Sequence, residues 1–477
     1  MNFIVFVLEY VVRKIFFVIS IFVLTALACQ SLTSTPLPSE PLTDSSTQAV
    51  SAPQSTALPI GTSTPTSLPK GVIFVDTLQQ EVYPFEENGK CSLAEAVIAA
   101  NTGAPKDTCP AGVPGESIIS LMPGEYHFSQ RDQSPPQFDW LLSLVKVGSA
   151  LPPITFPLVI QGNGATLVRD EGSEPFRFFE VMVNASLSLE NMTLQNGDVQ
   201  DDSGGAIYAS NGSVTLNRVR FLNNHAEHGG AVYLTFGALT VQESEFIENH
   251  AGFQGGGIHL DSAKSTIQNT KFISNTTDAR GGALSAEGVT LVVEDSLFLK
   301  NVTQDNRGGA LHLEHVNVNI ARSQFYQNQS AWIGAAIYIN NPVMSGTSED
   351  EGDPLEQLDD TPMYVQMATL IPGYEATLQA HPSGVFQDFH EDMQVHQNCF
   401  ANNIILDTYE MNFSSAILAR DVNAEDNYYG TASGPSGSGP GTGDGVGRSV
   451  KFAPFLTEPP AYCDPELSQQ VKENHNQ

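Results

Sequence analysis

Gly255-Gly256-Gly257-Ile258-His259-Leu260-Asp261, with Phe272 and Asn275 further on, is one copy of a unit that recurs along the chain. The first glycines of the copies are Gly204, Gly229, Gly255, Gly281, Gly308 and Gly334, at steps of 25, 26, 26, 27 and 26. Seventeen residues after each of the first five comes a Phe: Phe221, Phe246, Phe272, Phe298 and Phe325. Three residues later comes an Asn: Asn224, Asn249, Asn275, Asn301 and Asn328. All length variation falls between the Asn and the next Gly, as a coil with fixed strands and one adjustable loop requires.

Within each copy the apolar residues alternate, which is a strand pattern. Ile258/Leu260 and Leu284/Ala286 follow their glycines, and Leu291/Val293 precede Phe298. The Phe is expected to mark a third strand. Three short strands per copy, stacked coil on coil, predict an all-β, right-handed, single-stranded parallel β-helix. Each coil should advance about 4.8 Å, so that Phe and aliphatic columns build one core. The Asn column should form an amide ladder, and the glycines should supply the turn before the first strand.

Degraded copies extend the pattern to Leu187/Leu189 with Leu194, and to Met393/Val395 with Phe400 and Asn403. From Phe325 to Phe400 is 75 residues where a coil needs about 26, so an insertion occupies about 341–390. Its first part, 341–360, has seven acids and no base, and reads as a solvated loop. The glycine run Gly434–Gly447 carries one Asp and no helix signal, so it reads as a closing turn region.

Upstream, Arg13-Lys14 and the apolar stretch to Ala28 read as an export signal over 1–28, too short for a comfortable span. An uncleaved anchor that also uses Met1–Val12 is the alternative. Residues 30–70 hold 24 Ser, Thr or Pro in 41 positions, which predicts a solvated stalk over 29–70. Ser92 and Glu95 form a capping-box signature opening a helix through about Ala100. Residues 71–125 are therefore expected to cap the first coil's edge, with the β-helix over 126–457 and a tail over 458–477.

Lys+Arg 21 against Asp+Glu 53 gives a net charge of −32, with no basic run, which excludes nucleic acid as a partner. Setting Cys29 aside leaves Cys91, Cys109, Cys399 and Cys463, an even number suited to an oxidising exterior. Three pairings are possible, and locality favours Cys91 with Cys109. No CxxC or His/Cys spacing suggests structural zinc.

Several segments resemble known families. Ala26-Leu27-Ala28-Cys29 resembles a bacterial lipoprotein signal, which implies that Cys29 is lipidated and becomes the mature N-terminus. Phe-x-x-Asn followed by Gly-Gly-Ala-Ile resembles the repeat of the chlamydial polymorphic outer-membrane proteins, a family of surface adhesins. The likeness covers about 187–340 and resumes at 393–403. Cys91-Ser92-Leu93-Ala94-Glu95-Ala96 is similar to the CSLREA motif of exported β-helix proteins, with Ala94 in place of its Arg. Asn427-Tyr428-Tyr429-Gly430 is similar to their closing segment. These likenesses imply an exported chain, lipid-anchored to a cell or outer membrane and facing the exterior or the periplasm.

If Ile207 and Ala209 point inward, their neighbours point outward. One outer column is then Tyr208, Tyr233, His259, Ser285, His312 and Tyr338, beside Ser210, Thr235, Asp261, Glu287, Glu314 and Asn340. Rings beside polar groups along a linear face suit a sugar polymer. Ordinary strand propensity also puts Tyr and His on exposed faces. Stacked Asp261, Glu287 and Glu314 repel unless solvent, a raised pKa or a bound Ca²⁺ compensates. Carboxylates one or two coils apart also span the separations that glycosidases use. Pectate lyases share the β-helix shape and need a basic residue beside Ca²⁺. Arg280 and Arg307 stack, but each follows an acid (Asp278, Asp305), which predicts local surface ion pairs. No nucleophile elbow, Walker loop or HExxH occurs. The favoured expectation is a monomeric binding or structural module without a cofactor, taking a polysaccharide or surface-protein ligand. A polysaccharide hydrolase or lyase is the alternative.

Overall fold

A computed structural model describes residues 71–134, 147–340, 393–405, 415–418, 420–447 and 449–468. Cys29, the signal, the stalk and the acidic insertion lie outside them. The described chain is a right-handed parallel β-helix. Among the described residues its strands form three sheets of 10, 18 and 6 strands, every paired strand parallel to its neighbours.

The coil that opens at Gly255 shows the plan. Ile258–Asp261 lies in the first sheet, Lys264–Gln268 and Lys271–Ile273 in the second, and Thr276–Thr277 in the third. The corners between them fall at fixed positions with left-handed backbone: Ser262, Asn269 and Ser274 in this coil, and Gly288, Asp295 and Lys300 in the next. A left-handed residue turns the chain sharply while both flanking segments stay extended. The Phe column marks a third strand, as the alternation suggests: Glu245–Ile247, Lys271–Ile273, Leu297–Leu299 and Gln324–Tyr326 each carry one Phe. It shares the sheet of the second strand, and in the first copy the two run on unbroken from Ser213 to Leu222. The third sheet begins just after the Asn.

Glycine is required at the turn into the first sheet. Gly255 has φ 68°, and a Cβ there would lie 2.1 Å from the carbonyl oxygen of Ile258. At Gly256 the obstacle is the next coil, whose Gly282 oxygen would be 2.2 Å away.

Two columns hold the interior together. Phe221, Phe246, Phe272, Phe298, Phe325 and Phe400 stack with ring centroids 4.7–5.1 Å apart, all fully buried. Tyr429 adds a last ring 5.7 Å from Phe400. The expected amide ladder is present. Each Asn accepts on Oδ1 from the backbone N–H and the Nδ2 of the Asn one coil earlier, from Asn224 through Asn403. The ladder ends on Asp444, whose Oδ2 accepts from Asn403 at 2.6 Å. The glycine run that reads as a closing turn thus supplies more than turns. Gly443–Val446 pairs with Ser415–Leu418 and adds a rung to the first sheet.

At the other end, β1 (Val72–Phe74) pairs with β2 (Ser117–Ser120), and α1 (Leu93–Thr102) packs against both. The capping box is formed: Ser92 Oγ accepts from the Glu95 N–H and Glu95 Oε2 from the Ser92 N–H. Burial raises the pKa of Glu95. Cys91 pairs with Cys109 and Cys399 with Cys463, with Cα–Cα distances of 4.8 and 6.2 Å. The second bridge ties the tail to a small buried cluster with Tyr326 and Ala401. Of the coil begun at Gly334 the strand Ile337–Asn340 is described, and Gln394–His396 pairs with Asn317–Ala321.

Candidate functional site

The outer face of the first sheet carries the polar columns in register. Tyr208, Tyr233, His259, Ser285, His312 and Tyr338 are Cα partners from coil to coil. So are Ser210, Thr235, Asp261, Glu287, Glu314 and Asn340. The strand pleat puts them all off the core, as the alternation predicts.

Their environment differs from the expectation of an open surface. His259 is 4% exposed and His312 1%, while Ser285, Tyr338 and Glu314 are also buried. Tyr208, Tyr233, Asp261 and Glu287 are half-buried. Two packing effects account for this. First, the rings stack on one another: Tyr208–Tyr233 and Tyr233–His259 at 5.4 Å, and His312–Tyr338 at 5.2 Å. Their faces are spent on each other and their edges point outward. Second, side chains that precede the glycines lean over the face. His228 is 5.5 Å from the ring of His259, and Arg307 lies 5.1 Å over the ring of Tyr338.

Arg280 and Arg307 are therefore not local surface ion pairs. Arg307 donates from Nη1 to the Tyr338 hydroxyl at 2.8 Å. Arg280 reaches Glu314 on the next coil, Nη1 to Oε2 at 3.5 Å. Arg280 precedes its first strand and Glu314 ends one, so this pair crosses the sheet face beside Ser285. Coil 281 carries a serine where most coils carry a ring. Asp278 faces His250 instead, at 3.8 Å.

The titratable groups respond to burial. The imidazoles of His259 and His312 are held well below their usual range by desolvation, so both are neutral. Arg280 and Arg307 push His312 further the same way. Nδ1 of His259 is enclosed and makes no hydrogen bond among the described residues. Glu314 also lies 3.4 Å from His312 Nε2. Asp261 accepts from Ser262 Oγ at 2.7 Å and Thr235 Oγ1 at 3.3 Å, yet desolvation still raises its pKa. Asp261 is thus poised toward its neutral form, two coils from Glu314, which pairs with Arg280. Among the described residues no group of three or more His, Cys, Asp or Glu converges to hold a metal ion.

Sequence reasoning missed three residues here. Arg177 is fully buried, bonded to Asp202 Oδ2 at 2.8 Å and Val147 O at 2.6 Å, with its guanidinium 5.1 Å over the Tyr208 ring. Its coil has no glycine pair to align, so nothing in the repeat marks it. Phe253, on the strand His250–Gln254, and Trp332 lie in the segment of variable length between Asn and Gly, where columns are not legible by counting.

Comparison with known proteins supports the fold and stops there. No curated protein and no solved structure matches the chain. A family model described as right handed beta helix region matches residues 181–345, the stretch that holds five glycine-led copies, the opening strand of the sixth and the outer face just described.

Proposed function

We propose that this chain is an exported lipoprotein whose β-helix binds a polysaccharide along the outer face of its first sheet, without catalysing a reaction. The observation that carries this is Asp261. A half-buried carboxyl whose ionised form is disfavoured by burial costs stability, and a coil needing only to stack has no use for it. Asp261, Glu287 and Glu314 are in register and can accept hydrogen bonds from the hydroxyls of successive ligand units.

Asp261→Asn tests this. A carboxyl with a raised folded-state pKa loses stability for the protein as pH rises from its unfolded value through its folded one, and the loss persists above. The Asn variant should therefore melt a few degrees higher at pH 7 and show a flatter pH dependence. It should bind the glycan that the wild type selects from a panel about tenfold more weakly, the size expected for a charged hydrogen bond. Unchanged affinity would sink the assignment of this face.

A hydrolase on the same scaffold is the second reading, favoured by two carboxyls, Asp261 and Glu314, in one column two coils apart. New reducing ends formed by the wild type, and abolished in the variant with affinity kept, would establish it.

The lipid anchor rests on the Ala26–Cys29 sequence and the stalk that follows. Cys29→Ala is expected to abolish incorporation of a labelled fatty acid and leave the chain unprocessed or released. Label that persists in the variant removes the anchor.

A further inference from the structure

We propose that the ridge beside this face extends the binding surface, with Phe253 and Trp332 serving as two stacking platforms for a neutral glycan chain lying parallel to the solenoid axis. This rests on the polysaccharide reading above and names its ligand class.

Phe253 and Trp332 each stand two residues before the first glycine of a copy, Gly255 and Gly334. The same position in the two coils between holds Ala279 and Asn306. Backbone bonds tie neighbouring coils together here: the Arg280 N–H donates to Phe253 O at 2.9 Å, and the Trp332 N–H to Asn306 O at 3.1 Å. The rings are therefore three coils apart, roughly 14 Å at the spacing of paired strands. Phe253 is 40% exposed and Trp332 43%. Between residues 204 and 340 they are the two large apolar side chains left exposed. The neighbouring ring ladder is closed by self-stacking, and these two rings are outside it.

Phe253 is held in place. His228 meets it edge-on at 5.5 Å, and the Arg280 guanidinium lies 5.8 Å from its centroid. Ala279 and Asn306 put no bulk between the two platforms. Asn306, half-buried, leaves polar ground between them.

Isolated rings separated by polar ground do not make the continuous apolar patch that a protein partner needs. They do suit a chain of alternating C–H faces and hydroxyl edges. The ligand should be uncharged. Arg280 and Arg307 are already engaged by Glu314 and Tyr338, while Asp261, Glu287 and Glu314 line the far edge of the same face and would repel a polyanion. An extended pyranose chain advances by about one coil spacing per unit, so the first and fourth units meet the two rings together.

The test is calorimetric titration of the full-length protein in detergent with neutral gluco-, xylo- and manno-oligosaccharides of two to six units, and with polygalacturonate. Affinity is expected to rise steeply at about four units, the length that spans three coils. Phe253→Ala and Trp332→Ala should each weaken the longer ligands about tenfold and leave two-unit ligands nearly unchanged. Trp332→Phe should retain most of the affinity. Both exposed positions should leave the melting temperature nearly unaltered, so a loss of binding is not a loss of folding. Binding that is independent of length, or unaffected in both alanine variants while Asp261→Asn still weakens it, overturns the ridge and spares the face. Tighter binding of polygalacturonate overturns the neutral class. If the wild type binds none of these glycans, the polysaccharide reading fails and the ridge with it.

Discussion

Asn275→Ala is expected to destabilise the β-helix by about 3–6 kcal/mol, although it removes a small side chain and leaves a small cavity. Asn275 is fully buried, and its amide makes four hydrogen bonds. Oδ1 accepts from the Asn249 N–H at 3.1 Å and from Asn249 Nδ2 at 2.9 Å. Nδ2 donates to Phe246 O at 2.9 Å and to Asn301 Oδ1 at 3.0 Å. Alanine strips all four, leaving the Asn249 N–H with no replacement in a dry corner. An unmade buried bond costs more than a made one contributes, which is why the loss exceeds that of the side chain's own contacts.

Asn275→Asp sharpens the test. Its carboxylate keeps both acceptor roles but turns the donor side into a second oxygen facing Phe246 O and Asn301 Oδ1. Burial and these acceptors raise the folded-state pKa of the new carboxyl above its unfolded value. Stability should then improve as pH falls through that raised value, because the protonated acid can donate again. The ladder itself shows where an acid is tolerated. Asp444 closes it at the end, where its carboxylate only accepts, from the N–H and the Nδ2 of Asn403. Urea unfolding at pH 4 and pH 7, with hydrogen exchange at the Asn249 amide, measures both variants. An alanine variant as stable as the parent would mean that the ladder satisfies the corners without holding them.

The interior of this fold was legible by counting, because an offset of 17 residues from Gly to Phe and 20 to Asn leaves a coil no freedom between them. The columns therefore followed from the repeat, and with them the stacked rings, the amide ladder and the register of Asp261, Glu287 and Glu314. Alternation needs several residues to register, so the two-residue strand Thr276–Thr277 that follows the Asn was missed. Nor does it distinguish outward from exposed. Tyr338 and His312 do leave the core, but the side chains that cover them come from the segment of variable length. That segment is where Arg280, Arg307, Phe253 and Trp332 reside. The binding face is thus built half from invariant strands and half from the segment in which the repeat permits change.

The same side chain in two settings gives a final expected result. Phe272→Ala should cost about 3–5 kcal/mol, as deletion of a fully buried ring usually does. Phe253→Ala should cost much less, about 1 kcal/mol or below, since the residue is 40% exposed and packs only against surface side chains. Phe272 is sandwiched between Phe246 at 4.8 Å and Phe298 at 4.9 Å, with interplanar angles of 7° and 1°. The ring cannot be replaced by relaxation, because the coil spacing is set by backbone hydrogen bonds on three sheets and does not shrink. The cavity should persist and be felt by the two adjoining coils first, since each coil contacts only its neighbours. Hydrogen exchange should therefore quicken between about residues 246 and 300 before the global transition moves, leaving the cap around α1 protected. Loss of protection along the whole solenoid at once would mean that the coils unfold as one cooperative unit, and that the nearest-neighbour picture does not hold for this chain. Phe272→Leu, which refills most of the volume without a stacking face, separates packing from ring stacking: recovery of more than about half the lost stability assigns the column to volume.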